Sequence, residues 1–267
     1  MLSATVWAQK QLIILHTNDT HSTVMPLGKN IADTAKADRG GYLRRINYIK
    51  QQRQEHPDLL LFDSGDFSQG SPYYTLFKGD VEVELMNEMK YDAATIGNHE
   101  FDFGLDNMAR LFKKCEFPIV CSNYDFTGTV LEGLVKPYLI IKRNGVKIGI
   151  YALCPELDGL VSKKCYGDVK FLDPVKVGNE YTDFLRNKKK CDVVICLSHL
   201  GWMGAPYGDE AVFKQSKDVD LVLGGHSHTF FKKLEYITGA DGKQIPVDQN
   251  GKHALFVGKI TMNLEKK

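Results

Sequence analysis

The chain has 267 residues, 43% of them hydrophobic and 25% charged. These proportions fit one globular α/β domain and exclude disordered, collagen-like and coiled-coil chains. Lys+Arg is 34 against 33 Asp+Glu, a net +1 that offers no clustered positive field for nucleic acid or an acidic membrane.

The N-terminus reads MLSATVWAQK. Val6 and Ala8 satisfy the small-residue rule for cleavage after Ala8, although the basic segment and the apolar stretch of about 7–15 residues are missing. Residues 1–8 are therefore expected to be the remnant of a signal peptide, and residues 9–267 one domain of an exported, periplasmic or extracellular protein. Gln11–Leu15 reads as a buried strand, apolar without alternation. Gly41–Gln54 has helical spacing through Tyr42, Leu43, Ile46 and Ile49. Asp58–Phe62 is a strand, Val81–Met89 a helix, Ala93–Ile96 a short strand, Leu105–Phe112 a helix and Pro118–Cys121 a strand. Tyr138–Lys142 and Val146–Leu153 flank Asn144-Gly145, the signature of a hairpin turn. Pro174 opens a helix to about Lys189, with proline in the first turn. Asp192–Leu197 and Asp220–Leu223 are buried strands. From Lys233 onward, Lys233–Thr238, Lys243–Val247, Ala254–Val257 and Ile260–Leu264 read as short antiparallel strands. The order argues for a mostly parallel core, extended by antiparallel strands and covered by helices, in one layered α/β domain. The longest apolar runs, such as Leu59–Phe62, fall far short of the ~20 residues of a membrane-spanning helix. Cys115 with Cys121, and Cys154 with Cys165, are compatible pairs among the six cysteines; sequence leaves the connectivity open.

Five strands end alike. Each apolar run is followed at once by polar residues able to bind metal: Asn18-Asp19-Thr20-His21, Gly65-Asp66, Gly97-Asn98-His99-Glu100, Ser198-His199 and Gly225-His226-Ser227-His228. In open α/β sheets, ligands bind beyond the carboxyl ends of the strands. A single histidine after a strand is more often a satisfied core residue than a ligand, and Asp19 or Asp66 alone reads as a turn or cap residue. Five repetitions favour a site. The Asp, His and Asn donors include no thiolate, which suits Mn²⁺, Zn²⁺, Fe or Co. Seven donors exceed one tetrahedral ion and fit two ions sharing a carboxylate. Two such ions carry +4 against −2 from Asp19 and Asp66, leaving a positive charge suited to a phosphate dianion. Among other polar residues, Asp63 reads as a strand-end hydrogen-bond partner, His16 as structural, Glu100 as an outer or exposed group, and His56 and His253 as surface histidines.

The ordered set TNDTH, SGD, GNHEFD, SHLG and GGHSH resembles the calcineurin-like metallophosphoesterase superfamily. ILHTNDTHS, GNHEFDFG and the neighbourhoods of Phe77-Lys78-Gly79 and Val257-Gly258 resemble its 5′-nucleotidase branch, over about Leu12–Leu264. The resemblance implies an α/β/β/α sandwich of two mixed sheets flanked by helices, with a dinuclear metal site at the strands' carboxyl ends. It implies that Asp19, His21 and His228 hold one ion, that Asp66 bridges, and that Asn98, His199 and His226 hold the other, Mn or Zn being favoured. It places His99 on the substrate phosphate, with Asp102 orienting it and Asn98 beside it as candidate catalytic residues, and a metal-bridging hydroxide as nucleophile. The expected substrate is a small phosphoester, a nucleoside 5′-monophosphate or related phosphomonoester. Alternatives are a phosphodiesterase or broad phosphatase on the same site, and a metal-stabilised subunit with little activity until paired with a substrate-binding chain. Family members carry a C-terminal nucleotide-binding domain; residues 9–267 are expected to be the catalytic domain alone, with that second domain absent here or encoded separately as a partner.

Overall fold

The computed structural model describes residues 10–204 and 206–264. The expected signal-peptide remnant, residues 1–8, lies outside the described residues. The first sheet runs, in spatial order, β14 (Gly258–Leu264), β1 (Lys10–Thr17), β2 (Leu60–Asp63), β3 (Ala93–Ala94), β4 (Ile119–Val120) and β6 (Val135–Lys136). Its strands are parallel except β14, which lies antiparallel to β1. The second sheet runs β12 (Glu235–Thr238), β13 (Gln244–Asp248), β11 (Leu221–Leu223), β10 (Val193–Ser198), β8 (Val146–Leu153) and β7 (Leu139–Arg143), with β7 and β12 antiparallel at the edges. β5 (Tyr124–Asp125) and β9 (Lys170–Phe171) form a separate ribbon.

Strand alternation explains the layers. Leu12 and Ile14 of β1, Leu60 and Phe62 of β2, Ile148 and Ile150 of β8, and Val193 and Ile195 of β10 meet between the two sheets. The residues between them face outward. Leu15 and Leu61 pack under Ile46, Ile49, Val83, Met86 and Met108, from α1 (Tyr42–Glu55), α3 (Asp80–Met89) and α4 (Gly104–Phe112). Tyr151, Val194 and Cys196 pack under Val177 and Phe213, from α6 (Pro174–Asp183) and α7 (Asp209–Phe213). Each central strand is thus buried on both faces, which is why its sequence is apolar without a break. The α/β/β/α layering expected from the resemblance is the one found.

Local sequence accounts for most elements. Asn144 and Gly145 both take positive φ, 51° and 69°, as a tight hairpin turn of this twist requires. α2 (Pro72–Phe77) was not anticipated; Ser71 caps it by accepting from Tyr73 N at 3.1 Å, and Pro72 fills its first turn. The helix predicted to Lys189 stays regular to Asp183 and then widens into a π-type turn over Phe184–Lys188. Ala254–Val257 is not a strand: His253 and Ala254 have φ of 63° and 55°, outside the extended region. α5 (Lys163–Tyr166) precedes β9. Neither cysteine pairing occurs. All six thiols are free, and Cys121 and Cys154, taken from different expected pairs, are neighbours. Among the described residues, no helix is long and apolar enough to cross a membrane.

Asp209, the first residue of α7, is fully buried. One carboxylate oxygen accepts from Ser198 Oγ and the other lacks a partner, so burial pushes its pKa up to about 7. A raised native pKa means that the folded state holds this proton more tightly. The stabilisation is complete below the ordinary carboxylate range and is lost as pH rises through about 7. Asp209→Asn, which cannot ionise, should therefore gain stability relative to the parent between pH 5 and pH 8. Urea midpoints at the two pH values check this; an unchanged difference would show that Asp209 titrates normally.

Candidate metal centre

All five polar motifs lie at the carboxyl ends of parallel strands, β1, β2 and β3 from the first sheet and β10 and β11 from the second. They converge on one crevice where the two sheets meet. Donor atoms of Asp19, His21 and His228 lie within 4.8 Å of one another, as do those of Asp66, His199 and His226, and those of His21, Asp66 and His99. The separations are 2.9 Å for His21 Nε2 to His228 Nε2, 3.5 Å for His228 Nε2 to Asp19 Oδ1, 3.9 Å for His21 Nε2 to Asp66 Oδ2 and 3.1 Å for His199 Nε2 to Asp66 Oδ2. Donors about 2.0–2.2 Å from one ion stand roughly 2.9–3.5 Å apart at octahedral to tetrahedral angles. Three of the four spacings fall in that range, and His21 Nε2 to Asp66 Oδ2, at 3.9 Å, is wider.

The backbone at these positions is unusual. Asp19, His21, Asp66, His226 and His228 all have positive φ, between 46° and 71°. Each such residue costs on the order of 1–3 kcal/mol and persists only where its surroundings over-determine it. Backbone bonds stitch the first two loops together: Asp19 N donates to Gly65 O at 2.9 Å and His21 N to Asp66 O at 2.9 Å. Glu100 fastens the third. Its carboxylate accepts from Asp66 N, Ser68 N and Gly97 N at 3.0, 3.0 and 2.6 Å. Asp66 Oδ1 in turn accepts from His99 N at 2.9 Å, which sets Asn98 and His99 beside it.

Electrostatics sort the groups. Burial pushes the Asp19 carboxyl up to about 8. Burial would also raise Asp66, but the His199 imidazole beside it outweighs that and holds it below the carboxylate range. Burial lowers His21 to about 3 and His226 and His228 to about 4, so these rings are neutral donors. His199 Nδ1 donates to Ser64 O at 2.6 Å, which leaves Nε2 to face Asp66. His99 differs. Burial opposes its charge, yet the hydrogen bond from Nδ1 to Asp102 Oδ2, 3.1 Å, and the field of Asp66 raise its pKa.

The calcineurin-like phosphoesterase family model matches residues 12–230. The chain belongs to this family. Snake venom 5′-nucleotidase from Gloydius brevicauda is 32% identical over 280 residues, covering 96% of this chain and 46% of that protein. The 5′-nucleotidase of Homo sapiens is 29% identical over 288 residues, covering 100% and 49%. Among solved structures, the 5′-nucleotidase precursor from Thermus thermophilus superposes with a TM-score of 0.87 at 28% identity, covering 96% of this chain and 52% of that one. The chain spans about half the length of the curated relatives it matches.

Calcineurin-like phosphoesterases use divalent metal ions, and the residues here fit such ions. Asn98 Oδ1 is buried without a hydrogen-bond partner, as an atom reserved for a cation would be. Thiols are missing from the clustered donors, which are oxygen and imidazole nitrogen. Asp63 accepts from Thr17 Oγ1 and Gly65 N at the end of β2, and His16 is buried against Asp248, both in structural positions. His253 was expected at the surface; it stands 5.9 Å from the His21 ring, and its backbone N donates to Asp19 O. Sequence could not show this, because the chain reaches the site there through a left-handed turn rather than at a strand end. Glu100 is buried rather than exposed, and its three backbone contacts make it a clamp.

Gly97 permits the close approach of two loops. A Cβ there would stand 2.1 Å from Asp66 Oδ1 and 2.6 Å from Asp66 N. Gly97→Ala should therefore displace Asp66 and lower metal affinity at least about 10-fold, the lower end for outer positions that orient ligands. Elemental analysis after dialysis checks it; parent-like metal content would mean that the loops yield without cost.

Proposed function

We propose that this chain is a two-metal hydrolase of phosphomonoesters whose substrates are nucleoside 5′-monophosphates. The observation that carries the reading is the convergence of oxygen and imidazole donors from both sheets on one crevice, with the His99–Asp102 pair at its edge. In this reading Asp19, His21 and His228 hold one ion, Asp66 is shared, and Asn98, His199 and His226 hold the other, with Mn²⁺ or Zn²⁺ as the ions. Bound there, two divalent ions supply Lewis acidity to phosphoryl oxygens and make water a nucleophile near neutral pH. The protein's own residues do the rest. Asp102 accepts from His99 Nδ1, so the ring presents Nε2 outward. A protonated His99 stabilises charge on the transferring group and returns its proton to the leaving alkoxide. The Asn98 carbonyl accepts from Phe101 N at 3.3 Å, which closes the turn that carries His99. The nucleotide preference draws support from the names of the similar 5′-nucleotidases.

Residues 9–267 form the metal-bearing catalytic domain in this reading. Base selectivity would come from a nucleotide-binding domain, in the same or a separate polypeptide, closing over the crevice between Asn98 and His228. Export is part of the proposal, supported by Val6 and Ala8 and by the venom origin of similar relatives.

The test is a substrate panel of nucleoside monophosphates, a phosphodiester and a sugar phosphate, each with Mn²⁺ or Zn²⁺ after chelation. Preferred turnover of the monophosphates supports the reading; diester preference favours a phosphodiesterase, and no turnover with two ions bound favours a binding subunit. His99→Ala should lower turnover of a nucleoside monophosphate about 10²–10⁴-fold at unchanged metal content. The loss should be much smaller with nitrophenyl phosphate, whose leaving group needs little protonation. Loss of a metal equivalent in that variant would make His99 a ligand instead.

A further inference from the structure

β13 lies beside β11 in the second sheet, with Leu223 opposite Asp248. β11 leads into the loop that carries His226 and His228; β13 leads into Gln249. The Gln249 side chain is fully buried. Its Nε2 donates to Gly225 O at 2.8 Å, and its Oε1 accepts from Ser227 Oγ at 3.0 Å and from Thr229 N. Residues 225, 227 and 229 alternate with the two histidines. One amide therefore ties down the chain on both sides of His226 and of His228. Such ties are needed, because both histidines sit at positive φ, 71° and 56°, beyond the last ladder bond of β11. His226 groups with Asp66 and His199, whereas His228 groups with Asp19 and His21. Gln249 thus stands behind one donor of each half of the centre. The next residue extends the same strap: Asn250 N donates to Asn18 Oδ1 at 2.9 Å, and Asn18 Nδ2 donates to Asp19 Oδ2 at 2.6 Å. Gly224 leaves room for it, since a Cβ there would stand 3.2 Å from Gln249 Nε2.

We propose that Gln249 is a positioning residue that sets the separation of His226 and His228, so that both ions of the centre bind together. The proposal rests on the two-metal reading. It needs an amide, because the loop offers a carbonyl to a donor and an N–H and a hydroxyl to an acceptor. Methionine, of similar length, supplies neither, and glutamate supplies only the acceptor.

Calorimetric titration of the chelated full chain with Zn²⁺, and separately with Mn²⁺, reads the effect without activity. The parent should take up two ions. Gln249→Met should weaken both by about 10–100-fold, the range for residues that orient metal ligands. Gln249→Glu should weaken both as well, since it lacks the donor for Gly225. Ser227→Ala removes one of the three bonds; should Gln249→Met not fold, a smaller loss at both ions in Ser227→Ala carries the test. A general loss of folding would lower the bound fraction at unchanged affinity, so the affinities separate positioning from mere stability. Parent-like affinity in these variants, or a loss confined to one ion, overturns the proposal while the two-metal reading stands. A parent that binds fewer than two ions overturns both.

Discussion

Two carboxylates without access to water, Asp19 and Asp66, set the terms for the rest of the structure. Burial of an ionised carboxylate is costly unless it is paired or bound to a cation. The protein answers the two differently. Asp66 has His199 at 3.1 Å and the backbone N–H of His99 at 2.9 Å, and it stays ionised. Asp19 has the Asn18 amide and the backbone N–H of His226, and burial still drives its proton affinity up. The folded chain by itself leaves this charge problem incompletely solved. Divalent cations bound there would complete it, which would couple metal binding to stability and to proton release.

The same constraint explains the polar groups packed behind the candidate ligands. Positive φ at Asp19, His21 and Ser22 makes a loop that would relax if it were free. Arg45 of α1 reaches it through Thr20 Oγ1 at 2.7 Å, and Glu82 of α3 accepts from Ser22 Oγ. Glu100 fastens the loops after β2 and β3 to each other. The clamps from α1 and α3 come from helices whose apolar faces are already anchored in the core: Ile46 and Ile49 follow Arg45, and Val83 and Met86 follow Glu82. The four-layer packing therefore supplies the rigidity, and buried polar side chains carry it to the backbone of the candidate ligands.

The buried strands and the crevice were legible in the sequence for one physical reason, whereas the division into two sheets came only with the family resemblance. A parallel strand buried on both faces must be apolar throughout, so DLLLF or DVVICL can be read without neighbours, and the polar residues that follow mark where the chain leaves the sheet. The features missed lack that contrast. α2 is only six residues long, and its signal is the Ser71-Pro72 cap rather than apolar periodicity. Cys121 and Cys154 meet through the packing of distant strands, which no local spacing encodes. Asp248-Gln249-Asn250 follows a strand just as the other motifs do, but a glutamine is a poor metal donor, so nothing in it marks a site. His253 enters through the left-handed stretch that replaces the expected strand at Ala254–Val257.

Besides His199, whose proton affinity the Asp66 carboxylate raises against the effect of burial, the centre presents histidines in two electrostatic classes. His21, His226 and His228 are held neutral by burial, with lone pairs available to a cation. His99, only three residues from the carboxylate of Asp102 and partly open to solvent, is the ring whose proton the surroundings favour at the rim. The difference arises from position on the fold rather than from residue type. Exposure does not sort them, for the His228 side chain is 33% open and that of His99 31%; the partner does, because His99 opens a 3₁₀ turn, His99–Phe101, that brings Asp102 beneath its Nδ1. Metal ligation asks for neutral imidazole and leaving-group protonation asks for imidazolium. In the proposed reading, strand-end loops and a helical turn supply the two within a crevice where the His21 and His99 rings lie 5.3 Å apart.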